Sequence, residues 1–537
     1  MKRLLIFSLL ALLSLLAFAQ TVTLTIAHTG DLHGNVFPIN YASNTPSNVG
    51  LAKVQTIFQM LRDQGAILLP VDSGDLIQGT PLEYYHAKID NEPIDPMVLA
   101  MNQMGFLLTV IGNHEFNYGM DLLNKAVSEA TFPFLSANVV KRFTTIPYYE
   151  PYLIKEVEGV KVAFLGLTTD HIPNWEEPKN IALVDFLDPV ETAKKYVPML
   201  REMADLVVVV YHGGLEKDPK TGKPTEALVG ENVGYQILEE VPGIDVMLTG
   251  HQHRAIAAFV LGVPVSQTGK WGENVGRIDI TLDNSSGSWL VTAKSVELIS
   301  TAGVEADPDI MEMVQPYEDK VQQWLDTPVG RANGDFYVED PLAVRLGDHP
   351  LMEFVNTVQM EYSGAKISST ALFSNDIKGW KSGPVTLRDI NGVYIYPNTL
   401  KVIRVSGQDI KDALEISAGY FTLQDGEITV TDSWVNPKPR HYNYDIWEGI
   451  DYVIDVSKPV GERVVKLDFE GKPLDMDAQY DVVLNNYRAG GGGGYSMFQG
   501  KPMVKEIMME VSELMGNYIL EYGTIDAQID ENWTVVK

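Results

Sequence analysis

Six apolar runs lie between Thr21 and His253, and each breaks off on glycine, asparagine, aspartate or histidine. They read TVTLTIAHTGD from Thr21, GAILLPVDSGD from Gly65, LLTVIGNHE from Leu107, KVAFLGLTTD from Lys161, DLVVVVYHGG from Asp205 and IDVMLTGHQH from Ile244. Each has a largely apolar core of about four to eight residues, which predicts strands buried on both faces. Amphipathic helical stretches fill the intervals. The pattern is that of a layered α/β domain, and Val263–Leu282 and Leu290–Leu298 predict further strands that close it.

The chain has 537 residues with 45% hydrophobic content, too long for one core and suited to two domains. Lys and Arg number 41 against 71 Asp and Glu, a net charge of −30. Such a chain is a poor partner for nucleic acid polymers or anionic lipid. If the substrate is itself an anion, the sign must be reversed locally, and bound divalent cations are the usual means. There is no cysteine, so any metal must be held by His, Asp, Asn or Glu.

Lys2 and Arg3, the apolar Leu4–Leu16 and the small-x-small Ala17-Phe18-Ala19 form a secretory leader over residues 1–19, with cleavage after Ala19. The apolar run is short for a bilayer span. The expected mature chain is exported, periplasmic or extracellular, with no membrane segment. The first domain is expected over 20–305 and a connecting helix and linker over 306–330. That helix is the Asp-capped Asp307–Asp326, followed by a Pro/Gly break at Thr327–Gly334. A second, α+β domain is expected over 331–537. Its helices are Leu351–Tyr362 and Gln408–Ser417, and its strands include Thr399–Val405, Asp451–Val456 and Tyr480–Asn485.

The strand ends carry ligand-type side chains: Asp31 and His33, Asp75, Asn113 and His114, His212, and His251 and His253. Sites form at the carboxyl ends of strands in open α/β sheets. Neutral imidazoles with a bridging carboxylate suit a pair of divalent cations. His28 and Asp72 lie close by in sequence and read as structural.

The blocks D-x-H, G-D, G-N-H-E, H-G-G and G-H-x-H, in that order, resemble the calcineurin-like binuclear metallophosphoesterases, in particular the secreted two-domain 5′-nucleotidase superfamily. The resemblance implies a four-layer α/β/β/α domain followed by an α+β nucleotide-binding domain. It implies two divalent metal ions (Zn, Mn, Co or Fe), one held by Asp31, His33 and His253, the other by Asn113, His212 and His251, with Asp75 bridging. It makes His114 the catalytic histidine, oriented from the position of Asn117. The implied reaction is in-line attack on phosphorus by a hydroxide acidified by the two cations.

In the second domain the segments YIYPNTLKVIRVSG and LNNYRAGGGGGYSMF match the family's base-binding segments. The resemblance implies that Tyr396 and Tyr487 sandwich a nucleobase, that Asn398 contacts base or ribose, and that the loop of Arg488, Gly491, Gly492 and Gly493 lets backbone approach the ligand. Tyr442 and Tyr444 read as strand or rim aromatics. Two departures from the 5′-nucleotidases stand out. Asn117 replaces an aspartate, and ALFSNDIKGWKSG lacks the arginines that grip a 5′-phosphate. GNHEFNYG, TGDLHGN, SAGYF, YNYDIWEGIDY and NNYRA instead resemble the bacterial 2′,3′-cyclic-nucleotide 2′-phosphodiesterase/3′-nucleotidases. The expected function is hydrolysis of small-molecule nucleotides, 2′,3′-cyclic to 3′-nucleotide and then to nucleoside. The alternatives are a 5′-nucleotidase or UDP-sugar hydrolase, and a non-catalytic nucleotide-binding accessory of a transporter.

Overall fold

A computed structural model describes residues 20–537 apart from 42–43, 175, 226–227, 397 and 508. The expected leader over 1–19 lies outside the described residues. The chain forms two compact units. The first runs to Gln315, and the second takes Pro316–Lys537 with the short segments Asn40–Thr45 and Pro173–Glu177.

Two sheets face each other in the first unit. One is four-stranded, in the order Leu290–Ser300, Asn274–Asp283, Thr21–Thr29, Ile67–Asp72. The other is six-stranded, in the order Ala255–Val260, Val263–Thr268, Val246–Thr249, Leu206–His212, Val160–Thr168, Tyr152–Val157. Side chains alternate across each strand and so serve two cores. Val162 and Phe164 meet Leu24, Ile26 and Val71 between the sheets. Ala163, Leu165 and Leu167 point the other way, onto Val190, Ala193, Val197 and Leu200 of the helix Pro189–Met203. Their three- and four-residue spacing puts these four on one helical face. Asp188 starts that helix by accepting hydrogen bonds from the amides of Val190 and Glu191, with Pro189 as its first residue. Helices Leu51–Asp63 and Pro96–Met104 lie on the four-stranded sheet's side, which completes four layers. The strand expected in LLTVIGNHE is short: only Thr109–Val110 joins a ladder, parallel to Phe134–Leu135.

The helix expected over Asp307–Asp326 spans Pro308–Leu325, and Asp307 Oδ1 accepts from the Ile310 amide at 3.0 Å. The division between units falls inside this helix, at Gln315/Pro316, within the segment 306–330 expected to connect the domains. The Pro/Gly break expected at Thr327–Gly334 is instead the strand Pro328–Asn333, because it finds partners far along the chain in Gly383–Thr386 and Thr524–Asp526.

The second unit holds a five-stranded sheet, in the order Asp445–Glu448, Ile367–Ala371, Gln479–Asn485, Leu400–Ser406, Met503–Ile507, with helices Pro350–Ser363 and Gly407–Ala418. Leu400 pairs with Asn485 in an antiparallel register. That register sets the residues before Leu400 beside those after Asn485. Among the described residues no helix is long and apolar enough to cross a membrane.

Candidate metal centre

Strands of both sheets in the first unit, and the separate short ladder of Thr109–Val110, deliver polar side chains from their carboxyl ends. Asp31 and His33 follow Thr21–Thr29, Asp75 follows Ile67–Asp72, and Asn113 and His114 follow Thr109–Val110. His212 ends its strand, and His251 and His253 follow Val246–Thr249. Five of these residues turn through left-handed backbone, with φ of 53° at Asp31, 47° at His33, 60° at Asp75, 68° at His251 and 55° at His253. Each such turn costs a residue with a side chain on the order of 1–2 kcal/mol. Hydrogen bonds between the loops hold them. The Asp31 amide donates to Gly74 O and the His33 amide to Asp75 O, both at 2.9 Å, and the His251 amide donates to Asp31 Oδ1 at 2.8 Å.

Buried Glu115 clamps the turn that carries Asp75. Its carboxylate accepts from the amides of Gly112 at 2.6 Å, Leu76 at 2.5 Å and Asp75 at 3.1 Å. Position 112 must be glycine, since a Cβ there would collide with Asp75 Oδ1 and sit 2.6 Å from the Asp75 nitrogen. Burial, with the charge of Asp75 adding to it, raises Glu115 to about 7.

Backbone carbonyls fix two imidazole tautomers. His212 donates from Nδ1 to Ser73 O at 2.7 Å and His33 from Nδ1 to Gln78 O at 3.3 Å. Their Nε2 lone pairs are left for the site. His212 Nε2 is 3.2 Å from Asp75 Oδ2 and 3.1 Å from Asn113 Oδ1. His33 Nε2 is 3.0 Å from His253 Nε2 and 3.8 Å from Asp75 Oδ2. His253 Nε2 is 3.5 Å from Asp31 Oδ1. His251 turns Nδ1 to Asn113 Oδ1 at 2.8 Å and Nε2 to Glu231 Oε1 at 2.9 Å.

These contacts form two clusters. Asp31, His33 and His253 each offer an atom, all within 4.8 Å of one another, and so do Asp75, His212 and His251. Asp75 also groups with His33 and His114. Donors about 4–5 Å apart bracket a cation bound about 2.0–2.3 Å from each, and the all N/O set fits a divalent ion of the Zn, Mn, Co or Fe kind. The electrostatics agree. Burial lowers His33 to about 3 and also lowers His251, keeping both neutral as ligands must be. Burial works against charge on Asp75 and on His212 alike. The three surrounding imidazoles nonetheless hold Asp75 well below the usual carboxylate range, while Asp75, Asp31 and Glu115 lift His212 to about 10. The buried carboxylates of the pocket thus favour positive charge among the ligands, most of all at His212.

His114 stands beside the clusters. Its amide donates to Asp75 Oδ1 at 2.8 Å, and its ring Nδ1 donates to Asn117 Oδ1 at 2.6 Å. The Asn117 backbone carbonyl accepts separately from Asn180 Nδ2 at 3.1 Å. His28 and Asp72 are built into the sheet. His28 Nδ1 lies 3.0 Å from Ser266 Oγ, and Asp72 accepts from Thr29 Oγ1, Thr109 Oγ1 and the Gly74 amide. Glu115 and Glu231 were not among the expected residues. Glu115 is visible within GNHE but does its work through backbone amides, and Glu231 meets His251 from a loop with no spacing signal.

In the second unit Tyr396 and Tyr487 are half-buried. Tyr396 packs edge-on to Phe373 at 5.3 Å. Asn398 Nδ2 donates to Asn486 Oδ1 at 3.1 Å, which ties the two expected ligand segments together across the Leu400–Asn485 register. The glycines shape this place by close packing. A Cβ on Gly492 would lie 2.6 Å from the Tyr487 ring, and one on Gly493 would strike Asn443 and Arg488. Gly491 is left-handed, with φ of 89°. Arg488 corrects the expectation of a substrate contact. It is buried, its Nε and Nη2 donate to Asp445 at 2.8 and 2.9 Å, and its guanidinium lies 3.8 Å over the Tyr495 ring. A buried arginine needs such a carboxylate, and the pair braces the loop from inside. Tyr444 is fully buried and donates to Arg345 O at 2.8 Å, while Tyr442 remains half-buried.

The family model for calcineurin-like phosphoesterases matches residues 24–255, and that for the 5′-nucleotidase C-terminal domain matches residues 328–500. The 2′,3′-cyclic-nucleotide 2′-phosphodiesterase/3′-nucleotidase of Salmonella typhimurium is 34% identical over 541 residues, which is 88% of this chain and 82% of that protein. The trifunctional nucleotide phosphoesterase protein YfkN of Bacillus subtilis is 29% identical over 96% of this chain, which spans only 39% of YfkN. A solved structure from Staphylococcus aureus, a candidate 5′-nucleotidase in complex with alpha-ketoglutarate, superposes with a TM-score of 0.87 at 34% identity, covering 96% of this chain and all of that one. The chain is a phosphoric ester hydrolase, and it belongs to the calcineurin-like phosphoesterases that carry a 5′-nucleotidase C-terminal domain.

Proposed function

We propose that this chain opens 2′,3′-cyclic nucleotides to 3′-nucleotides and then removes the 3′-phosphate, releasing nucleosides outside the cytoplasm. The observation that carries the chemistry is the pair of donor clusters, with Asp75 of one lying 3.8 Å from His33 of the other and His114 alongside. Asp31, His33 and His253 would hold one divalent cation, and Asn113, His212 and His251 the other, with Asp75 common to both. When bound, the two cations supply Lewis acidity and an acidified water. His114 keeps its Nδ1 hydrogen on Asn117, which leaves Nε2 as the nitrogen that would pass a proton to the leaving alkoxide. In the first step a water oxygen would bond to phosphorus as the bond from phosphorus to O2′ breaks, O2′ taking a proton and the water giving one up. In the second, another water would bond to phosphorus as the bond to O3′ breaks, with the same exchange of protons.

Tyr396 and Tyr487 would stack on the base, and any base offers a π face. The 2′/3′ preference is supported by two buried arginines of the second unit. Arg345 donates to the carbonyls of Leu372 and Pro341 and to Asn375, and Arg488 is paired with Asp445. Neither guanidinium is left to grip a 5′-phosphate. The likeness to the Staphylococcus aureus candidate 5′-nucleotidase favours the 5′-nucleotidase reading as the second choice.

Turnover of 2′,3′-cAMP, 3′-AMP and 5′-AMP, each with and without EDTA, tests the assignment. The expected pattern is EDTA-sensitive hydrolysis of the first two with little of the third. Equal or faster hydrolysis of 5′-AMP moves the chain to the 5′-nucleotidases, and no metal-dependent hydrolysis of any of them rejects the site.

A further inference from the structure

A second group of oxygen donors lies entirely within the second unit, away from any imidazole ligand. Asp348 precedes the helix Pro350–Ser363, Glu353 lies in that helix's first turn, and Glu448 ends the strand Asp445–Glu448. One carboxylate oxygen from each of the three lies within 4.8 Å of the other two. Asp530 brings a fourth carboxylate against Glu353. Asn532 comes from the segment before the strand Trp533–Val536, and its backbone oxygen is anchored by the Tyr452 amide at 3.1 Å.

The hydrogen bonds satisfy only half of each group. Asp348 Oδ2 accepts from the amides of Asp530 and Glu531 at 3.1 and 3.0 Å, and Glu448 Oε2 accepts from Asn532 Nδ2 at 2.6 Å. The other oxygens, Asp348 Oδ1, Glu448 Oε1 and Asn532 Oδ1, are buried and have no partner among the described residues. Glu448 as a whole is 1% exposed. A carboxylate so deeply buried needs a counter-charge, and no lysine or arginine among the described residues forms an ion pair with Asp348, Glu353 or Glu448.

We propose that Asp348, Glu353 and Glu448, with the side-chain carbonyl of Asn532, form a calcium site that clamps a strand end, a helix start and the C-terminal segment together. The donors are all oxygen, as a hard cation requires, and oxygens on opposite sides of a calcium ion at about 2.4 Å stand about 4.8 Å apart. The absence of nitrogen donors separates this site from the imidazole-rich centre of the first unit. Calcium tolerates such a mixed carboxylate and carbonyl shell more readily than magnesium, which holds its waters and demands a strict octahedron.

The test uses the full chain with Ca²⁺ as the probe, and with Tb³⁺ as a luminescent substitute sensitised by Trp533, which neighbours Asn532 and stacks on Tyr452. Saturating Ca²⁺ raises the Tm of the second unit by about 5 °C and quenches Tb³⁺ emission with one ion per site. Glu448→Gln and Glu353→Gln each abolish both responses and leave phosphoesterase activity intact. In EGTA both variants melt no lower than the parent, since a repelling charge has gone while the shape remains. No Ca²⁺-dependent change in the parent, an equal change in both variants, or variants less stable than the parent in EGTA would each overturn the proposal.

Discussion

His114 Nδ1 lies 2.6 Å from Asn117 Oδ1, so a neutral amide holds the ring beside the metal clusters. An amide oxygen fixes the tautomer but lends no full charge to an imidazolium. Asn117→Ala frees the ring and lowers kcat about 10-fold with KM little changed, the effect of one lost hydrogen bond. Asn117→Asp adds an anion and moves the alkaline limb of the rate profile to higher pH. An unshifted limb in a fully metallated Asp variant would detach Asn117 from His114's work.

Asp75 lies in one donor cluster and also groups with His33 of the other, as a bridging ligand would. Asp75→Ala therefore empties both positions and reduces turnover by at least ~10³-fold. His114→Ala keeps both metals and loses ~10²–10⁴-fold in kcat. Elemental analysis beside initial rates separates the two. Loss of an ion from His114→Ala would make that histidine a ligand.

Glu231 meets His251 at Nε2 while Nδ1 faces Asn113. A carboxylate behind a ligating imidazole raises its basicity and fixes its orientation. Glu231→Gln weakens metal retention about 10–100-fold against a chelator. Unchanged retention would show that the loop carrying Glu231 is a bystander.

Tyr396 and Tyr487 are predicted to touch the base alone. Alanine at either weakens nucleotide binding by about 1–3 kcal/mol, seen in KM. Hydrolysis of bis(p-nitrophenyl) phosphate, which has no nucleobase, keeps its rate. Parallel losses on both substrates would mean that the tyrosines support the fold rather than the ligand.

His28 gives a pH signature of stability. Burial holds its ring at about 3 against an ordinary 6.5. Below pH 6.5 the unfolded chain binds a proton here that the folded chain refuses until about pH 3, so stability falls as pH drops through that window. His28→Asn removes this slope. Between pH 7 and pH 5, in EDTA, the first unit of the variant loses about 2 kcal/mol less than the parent by urea unfolding. Identical slopes would assign the acid sensitivity to other groups.

The first unit's layers and ligand positions were legible because each signal is local. An unalternating apolar run such as LVVVVYH announces burial on both faces, and His212 at its end announces a site. The tyrosine segments were legible only through resemblance, and their proximity depends on a strand register that joins Leu400 to Asn485. Arg488 was misread because its partner, Asp445, is 43 residues away and nothing in RAGGGGG signals a buried ion pair. The strand Pro328–Asn333 was misread for a similar reason. Pro328–Asn333 looks like a break until Thr524–Asp526 is laid beside it, whereas Pro316, where the units divide, leaves the helix unbroken.

Asp31, His33, Asp75 and His251 hold their left-handed dihedrals through interloop hydrogen bonds made by the protein itself. A centre held in this way is expected to keep its shape when the ions are withdrawn and to refill without renaturation. Which metal works there is then decided by supply and rate of exchange, and a preparation reconstituted with different cations should yield one architecture with several catalytic personalities.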